Sequence, residues 1–326
     1  MPKFDVSVVG ELNLDLILSG LPPKLELERE HLAKDLTITL GSSSAIFTHN
    51  LALLGNRVGF SSAIGSDALG EIALQFLRDS GTDVSGVRKF DGKLTGLTTI
   101  LPTGTERYIL TYPGTMFEMG FEHLDLSYVL DAQHLHLSSY YLHRALRPRI
   151  AELFRTAKTA GLTTSFDTND DPEDAWADDL RDVLPFVDVL LPNEKEACKI
   201  AHADDLERAM EILAQQVPLL VVKRGRAGAI ARRGNERFHI EALTVDAVDS
   251  VGAGDSFDAG FVHRFIRGVR VEECLKFASL TGALSATRAG GIAAFRDREH
   301  REKFLGEALP KYGAQTATNS PSSPSD

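Results

Sequence analysis

Val248-Asp249-Ser250-Val251-Gly252-Ala253-Gly254-Asp255-Ser256-Phe257-Asp258-Ala259-Gly260-Phe261 places two glycines and a carboxylate where a helix should begin. Downstream, Phe257, Phe261, Phe265 and Ile266 recur at helical spacing across 256–267, and upstream 239–245 alternates as a strand does. A helix start leaves backbone N–H groups without intrahelical partners and carries partial positive charge, so it stabilises an anion. Glycine lets a phosphate come close. Asp255 is a poor phosphate ligand, because like charges repel, but it suits a base that takes the proton from an attacking hydroxyl. The combination points to phosphoryl transfer. The competing account is a structural glycine turn in which Asp255 merely favours the positive end of the helix.

The chain of 326 residues is 43% hydrophobic, enough for a full α/β core. Its 35 Lys and Arg against 46 Asp and Glu give a formal charge of −11, which excludes a broad nucleic-acid or anionic-membrane surface. A single nucleotide needs only a local positive site. Met1-Pro2-Lys3-Phe4-Asp5 opens directly into a strand, with no leader or membrane-length apolar run, so a cytoplasmic protein is expected. Cys198 and Cys274 have no metal spacing and are expected as buried, reduced thiols. Residues 313–326 are mostly Ser, Thr, Pro and Ala without apolar period and are expected to form a disordered, solvated tail.

Short apolar runs alternate with longer amphipathic stretches, the pattern of a parallel sheet covered by helices on both faces. Strands are expected at 6–9, 58–64, 135–137, 163–166, 187–191 and 219–222. Helices are expected at 45–54, 72–80, 147–160, 206–215, 256–267 and 271–287. Residues 36–40 and 97–112 instead alternate as antiparallel strands should, with Thr103-Gly104-Thr105 as a hairpin turn. Asp67 is placed to cap the helix that follows it.

The segment 248–261 resembles the C-terminal signature of the ribokinase-like (PfkB) carbohydrate kinases, with Ser250 where that family has Thr. The resemblance extends over about 6–304. It implies an α/β, ribokinase-like three-layer αβα fold: a doubly wound, mainly parallel sheet in one kinase domain over 1–312, with a small β-strand lid from about 12–40 and 96–115. It implies Asp255 as catalytic base and the amides of Gly252, Ala253 and Gly254 as an anion hole. ATP is the implied co-substrate, with Mg²⁺. Asn193 and Glu196 match an Asn-x-x-Glu motif that organises Mg²⁺ and phosphate largely through water, and the same pair reads as a capping box, a compatible role. Asp249 matches an Asp that helps hold a monovalent cation, so K⁺ activation is an expectation too. Lys223, Gly225 and Gly228 match the nucleotide-side loop, where Arg224 and Arg226 read equally well as a solvated basic turn. Ala278 and Gly282 belong to a small-residue stretch of the type against which the family packs adenine.

At the acceptor end, Gly10-Glu11-Leu12-Asn13-Leu14-Asp15 follows the first strand, where polar side chains of an open sheet face the ligand crevice. Asp15 can accept hydrogen bonds from two vicinal hydroxyls and Asn13 adds a donor and an acceptor, although an Asx pair also stabilises turns. The family's Asn-x-Asp sugar motif favours the binding role. Gly41 and Ser42 fall on two glycines of the family, and Ile46 stands where an Asn is usual. Asn50, one helical turn later, either projects from the same face or belongs to the edge of the core. Asp167 and Asn169 resemble the family's Asp-x-Asn segment, but Asp170 and Asp171 follow where many members carry Arg. A neutral acceptor is therefore expected.

The expected activity is transfer of the γ-phosphate of ATP to a hydroxyl of a small, neutral sugar. Two alternatives stay open: a nucleoside kinase, with Tyr108, Tyr112, Phe117 and Phe121 available to stack a base, and a non-catalytic sugar or nucleotide sensor. A dehydrogenase is disfavoured, because no Gly-x-Gly-x-x-Gly follows the first strand. The expected partners are the sugar, ATP and a second copy paired through the lid, with no nucleic acid or membrane.

Overall fold

Strand β1 (Phe4–Val9) is buried along nearly its whole length and lies in the first of two compact units, Met1–Asp188 and Val189–Asp326, of a computed structural model that describes residues 1–103 and 106–318. It pairs in parallel with β4 (Val58–Gly65) on one side and β8 (Ala132–Ser138) on the other, with Val6 opposite both Val58 and His134. Strands β5 (Asp83–Phe90) and β9 (Thr163–Asp167) extend the parallel order to β9-β8-β1-β4-β5. The inner strands β1 and β4 are buried on both faces, whereas β5 at the edge has no buried residue.

The chain winds outward from β1 through α1 (Ser43–Leu53) and α2 (Ala68–Asp79) to β5, then returns past the short α3 (Leu126–Leu130) to β8 and continues through α4 (Ile150–Thr159) to β9. Right-handed crossovers running in opposite directions put their helices on opposite faces of the sheet. They also open a crevice outside the carboxyl ends of β1 and β8, where the direction reverses. Asp67 caps α2 as expected, accepting from the Gly70 amide at 2.8 Å, and it also binds the Thr95 amide and hydroxyl.

The first unit carries a second sheet in the order β3 (Asp35–Leu40), β2 (Asn13–Ser19), β6 (Gly96–Thr103), β7 (Glu106–Tyr112). The antiparallel expectation holds for β2–β3 and β6–β7, whereas β2 and β6 run parallel. The hairpin turn expected at Gly104 and Thr105 lies outside the described residues. Register sorts the side chains into two faces. Thr39, Asp15, Thr98 and Thr111 form one polar row across all four strands, while Leu18, Leu36, Leu16, Ile38, Tyr108, Leu110 and Tyr112 belong to the opposite, apolar face.

In the second unit, β10 (Val189–Leu190) and β11 (Leu219–Lys223) are parallel, and β12 (Ala229–Arg233) and β13 (Glu236–Ile240) complete an antiparallel edge. Its helices are α5 (Glu194–Ile200), α6 (Leu206–Leu213), α7 (Ala253–Phe265), α8 (Val271–Ala286), α9 (Ala293–Arg296) and α10 (Arg298–Thr318). Val221, Ala231, Phe257, Phe261, Leu275, Ala278 and Leu280 share one buried apolar cluster. The strand expected over 239–245 stops at Ile240, because its partner β12 begins at Ala229, directly opposite, and leaves 241–245 nothing to pair with. Residues 313–318 of the expected tail belong to α10, and 319–326 lie outside the described residues. Cys274 is buried and its thiol is pushed up to about 12 by burial, whereas Cys198 is partly exposed rather than buried. Among the described residues no helix is long and apolar enough to cross a membrane.

Candidate active site

In the second unit, α7 starts abruptly. Gly252 holds a left-handed backbone with φ of 73°, and no side chain caps the amides that follow. Asp255 lies in this first turn and is 9% exposed. Asp249 shapes the approach: one carboxylate oxygen accepts from the Val251 amide and the other from the Gly290 amide, each at 3.0 Å. A Cβ built on Gly254 would have only the Lys223 Nζ within 4 Å, at 3.9 Å, so the space over the turn is open and carries a cation at its border. Lys223, at the end of β11, is ion-paired at 2.8 Å with buried Asp258, one turn beyond Asp255 on α7. Uncapped amides, a nearby ammonium and a carboxylate in one turn can bind an anion and accept a proton beside it.

Of the expected nucleotide-side glycines, Gly228 and Gly282 are held in a close fit. The backbone at Gly228 has φ of 84°, and a Cβ there would lie 1.9 Å from the Ile240 carbonyl oxygen. Gly225 also has positive φ, and Arg224 pairs with Glu194 at 2.9 Å. Gly282 of α8 faces the Ala253 carbonyl, 3.1 Å from a built Cβ, which brings α8 against the start of α7. Ala278 has no exposed surface and fills the core beside Phe257 and Phe261, so its small size serves packing and it presents no ligand surface.

Asn193 and Glu196 form the expected capping box: each side chain accepts from the other's backbone amide, and Asn193 Nδ2 also donates to the Glu196 carboxylate. With the Glu196 carboxylate 4% exposed and already accepting from Asn193, the pair fits a cation reached through its own water shell better than one ligated directly. Among the described residues no cluster of three or more His, Cys, Asp or Glu side chains could hold a metal by itself.

In the first unit, Asn13, Asp15, Gly41 and Ser42 come together. A Cβ on Gly41 would lie 2.1 Å from an Asp15 carboxylate oxygen and 2.6 Å from Asn13 Oδ1, which explains glycine at this position. The Ser42 hydroxyl accepts from the Asn13 amide at 2.9 Å and donates to Asn13 Oδ1, and Asn13 Nδ2 donates to Thr98 at 3.0 Å. Asp167 is 1% exposed, and Asn169 donates from its side chain to Ser139 at 3.0 Å.

Three further expectations change. Asn50 is fully buried and bonded to the ring of His49, which makes it part of the interior. The Asp171 carboxylate accepts from the amides of Glu173, Ala175 and Trp176, so it organises its own loop and is not a second charge facing an acceptor. Tyr108 and Tyr112 lie on the face opposite Asp15, while Phe117 and Phe121 are covered by the guanidinium groups of Arg144 and Arg149 at 4.2 and 3.8 Å.

Glu11 had no motif to mark it, yet its 2%-exposed carboxylate joins several of these segments. It accepts from the hydroxyls of Ser44 and Ser139, both at 2.7 Å, and lies 3.3 Å from His143 Nε2. Burial pushes this carboxyl up, but His143, Ser44 and Ser139 together outweigh burial and hold it below its ordinary value.

The profile described as pfkB family carbohydrate kinase matches residues 3–298. An ATP-dependent ribose-1-phosphate kinase of Halopiger xanaduensis is 32% identical over 78% of this chain and 82% of its own. A solved protein of Escherichia coli, described as a candidate ribokinase II in complex with ATP and Mg²⁺, superposes with a TM-score of 0.82 at 25% identity, covering 93% of this chain and 99% of the other. The fold is likewise that of Arabidopsis thaliana ribokinase solved with ribose and ATP: TM-score 0.79, 24% identity, 93% of this chain and 98% of the other. These likenesses establish the three-layer ribokinase-like fold.

Proposed function

The chain belongs to the pfkB family of carbohydrate kinases and is a phosphotransferase with an alcohol acceptor, and on that premise we propose that it moves the γ-phosphate of ATP to a hydroxyl of a small, neutral sugar. The observation that carries this reading is the uncapped start of α7, with Asp255 in its first turn and Lys223 at the border of the open space over Gly254. Asp255 takes the proton as the acceptor oxygen bonds to the γ-phosphorus, the bond to the β-phosphate oxygen breaks, and ADP leaves. The amides of Gly252, Ala253 and Gly254 and the Lys223 ammonium stabilise the negative charge on the transferred group. Mg²⁺ bound to the nucleotide supplies charge neutralisation, with Asn193 and Glu196 as partners for its waters. Gly225 and Gly228 shape the nucleotide side, and Gly282 sets the approach of α8.

Asp15 and Asn13 hold the acceptor, with Gly41 and Ser42 keeping them in place and Asp167 and Asn169 bordering the site. The polar row of Thr39, Asp15, Thr98 and Thr111 is made of hydroxyls and one carboxylate, with Thr98 bonded to Asn13 and Thr111, and its uncharged chemistry around Asp15 supports a polyhydroxylated, uncharged molecule. The placement of Tyr108, Tyr112, Phe117 and Phe121 gives a nucleoside base no aromatic partner among those four, which favours a sugar.

Asp255→Asn is expected to leave ATP affinity nearly intact and to lower turnover by roughly 100-fold or more, the scale of a lost general base. Turnover near wild type in a folded variant would exclude the assignment. Asp15→Ala should lower acceptor kcat/KM by about 10- to 150-fold with little change in ATP KM, from loss of hydrogen bonds to a charged group. Gly41→Ala should act in the same direction, since its Cβ would take the space of the Asp15 carboxylate. An ADP-release screen over ribose, fructose, ribose 1-phosphate, 2-dehydro-3-deoxygluconate and adenosine tests the acceptor class. Preference for an anionic acceptor would overturn the neutral reading and make Arg107, on the polar face four residues along β7 from Thr111, the first candidate counter-charge.

K⁺ is the proposed activator near Asp249, where the loop before α7 is tied to the Gly290 turn. Equal rates in potassium and tetramethylammonium chloride at matched ionic strength would remove it. A second copy is the proposed partner for the apolar face of the lid, where Leu36, Tyr108, Leu110 and Tyr112 are each more than half exposed. Sedimentation should give a dimer that Leu110→Lys dissociates, and a wild-type monomer at micromolar concentration refutes it.

A further inference from the structure

We propose that Glu11 is a positioning residue that locks the acceptor-facing segments of the first unit into one arrangement, an inference that rests on the acceptor site proposed above. Glu11 follows Gly10 just beyond β1, in the crevice where the winding direction reverses between β1 and β8. Its carboxylate gathers three segments that are remote in sequence. The first is the start of α1, through the Ser44 hydroxyl at 2.7 Å and the Ser44 amide at 3.3 Å. The second is the turn after β8, through the Ser139 hydroxyl at 2.7 Å and His143 Nε2 at 3.3 Å. The third is the loop after β9, reached one step further by Asn169 Nδ2, which donates to Ser139 Oγ at 3.0 Å.

Backbone geometry shows that these segments are held rather than relaxed. Ser42, Ser139 and Asn169 have φ of 66°, 57° and 53°, in the left-handed region that favours glycine. Non-glycine residues persist there only where surrounding interactions over-determine them, and such positions cluster at ligand sites. Ser139 is fixed by Glu11, Asn169 is fixed by Ser139, and Ser42 is fixed by Asn13 two residues after Glu11. The fit is close at the base as well, because a Cβ on Gly10 would fall on the Ser44 side chain.

Chemistry explains why the hub is a carboxylate. The Ser44 amide, the Ser44 hydroxyl and the Ser139 hydroxyl all donate to its two oxygens, with His143 Nε2 beside them at 3.3 Å, and an ionised carboxylate accepts from all three. A buried charge has no packing advantage over an apolar side chain of similar volume, so a carboxylate here points to a defined geometry. Glu11→Gln keeps the shape but turns an –NH₂ toward one pair of donors, so the segments lose their common register without losing the fold.

The test uses the full chain and whichever of ribose, fructose, ribose 1-phosphate, 2-dehydro-3-deoxygluconate and adenosine gives the wild type its highest kcat/KM. Glu11→Gln should raise the KM for that compound by about tenfold or more, the scale of an ångström-level misplacement, while ATP KM stays within about twofold. Ser139→Ala should shift the same constant by a smaller factor, and the double variant should show less than the product of the two effects, because both act through one network. Parallel rises in both KM values that track a loss of thermal stability would overturn the proposal, as would an unchanged acceptor KM in a folded variant. Should Glu11→Gln fail to fold, Ser139→Ala decides alone: a selective rise in acceptor KM supports the proposal and no rise refutes it. Asp15→Ala run alongside separates the two levels. If Asp15→Ala raises acceptor KM and Glu11→Gln does not, the positioning role fails and the acceptor site stands; if neither does, the acceptor site itself is wrong.

Discussion

Amide groups at the start of a helix must find partners, and α7 begins without a side-chain cap, its Ala253 amide meeting only the Ser250 carbonyl, at 3.3 Å. Gly252 contributes no side chain, and the carboxylate that would make a natural cap, Asp249, is directed instead to the Val251 and Gly290 amides on either side of the turn. The first turn therefore presents its partial positive charge to the open space over Gly254 without a side-chain cap of its own. Much of the second unit answers to that condition. The core cluster with Phe257 and Phe261 anchors the helix, Gly282 lets α8 approach its first carbonyl, and Lys223 reaches the rim from the end of β11.

The ion pair between Lys223 and Asp258 tempers this positive site. Both side chains are largely buried, with 12% and 2% exposure, so the attraction between them is less screened than at the surface. Asp258 holds the lysine ammonium itself against α7, at the edge of the open space over Gly254. The charge is thus held in position without standing unopposed in the interior.

Local chemistry was readable from the sequence, and long-range pairing was not. The glycine turn with Asp255, the cap at Asp67 and the capping box at Asn193 and Glu196 each depend on residues a few positions apart, and each appears where spacing put it. Periodicity also gave the buried parallel strands, because full burial leaves an unbroken apolar run. Where partners are distant, the reading failed. Glu11 meets Ser44 and Ser139, 33 and 128 positions away, with no motif to mark it. The strand over 239–245 was cut short by the position of β12, and the parallel pairing of β2 with β6 was hidden because alternation does not encode strand direction. Asn50 and Ala278 had suitable chemistry and helical phase, but burial decided their roles. The aromatic residues of β7 were legible as aromatic and not as outward-facing, since a face is defined only once register is known.

The two-faced lid sheet limits how this protein can vary in length. Asp15 and Leu16 are neighbours in sequence but belong to opposite faces, as do Thr98 and Thr99, and Thr111 and Leu110. One residue inserted within β2, β6 or β7 would exchange the polar row for leucine and turn a carboxylate outward among apolar side chains. Changes of length within these strands are therefore tolerable in pairs or not at all. The long connection between β2 and β3, at 20–34, can absorb a single residue, because no alternation has to survive there. Divergence within the lid is thus channelled into substitutions on a fixed frame, and length differences between relatives should collect in its connections.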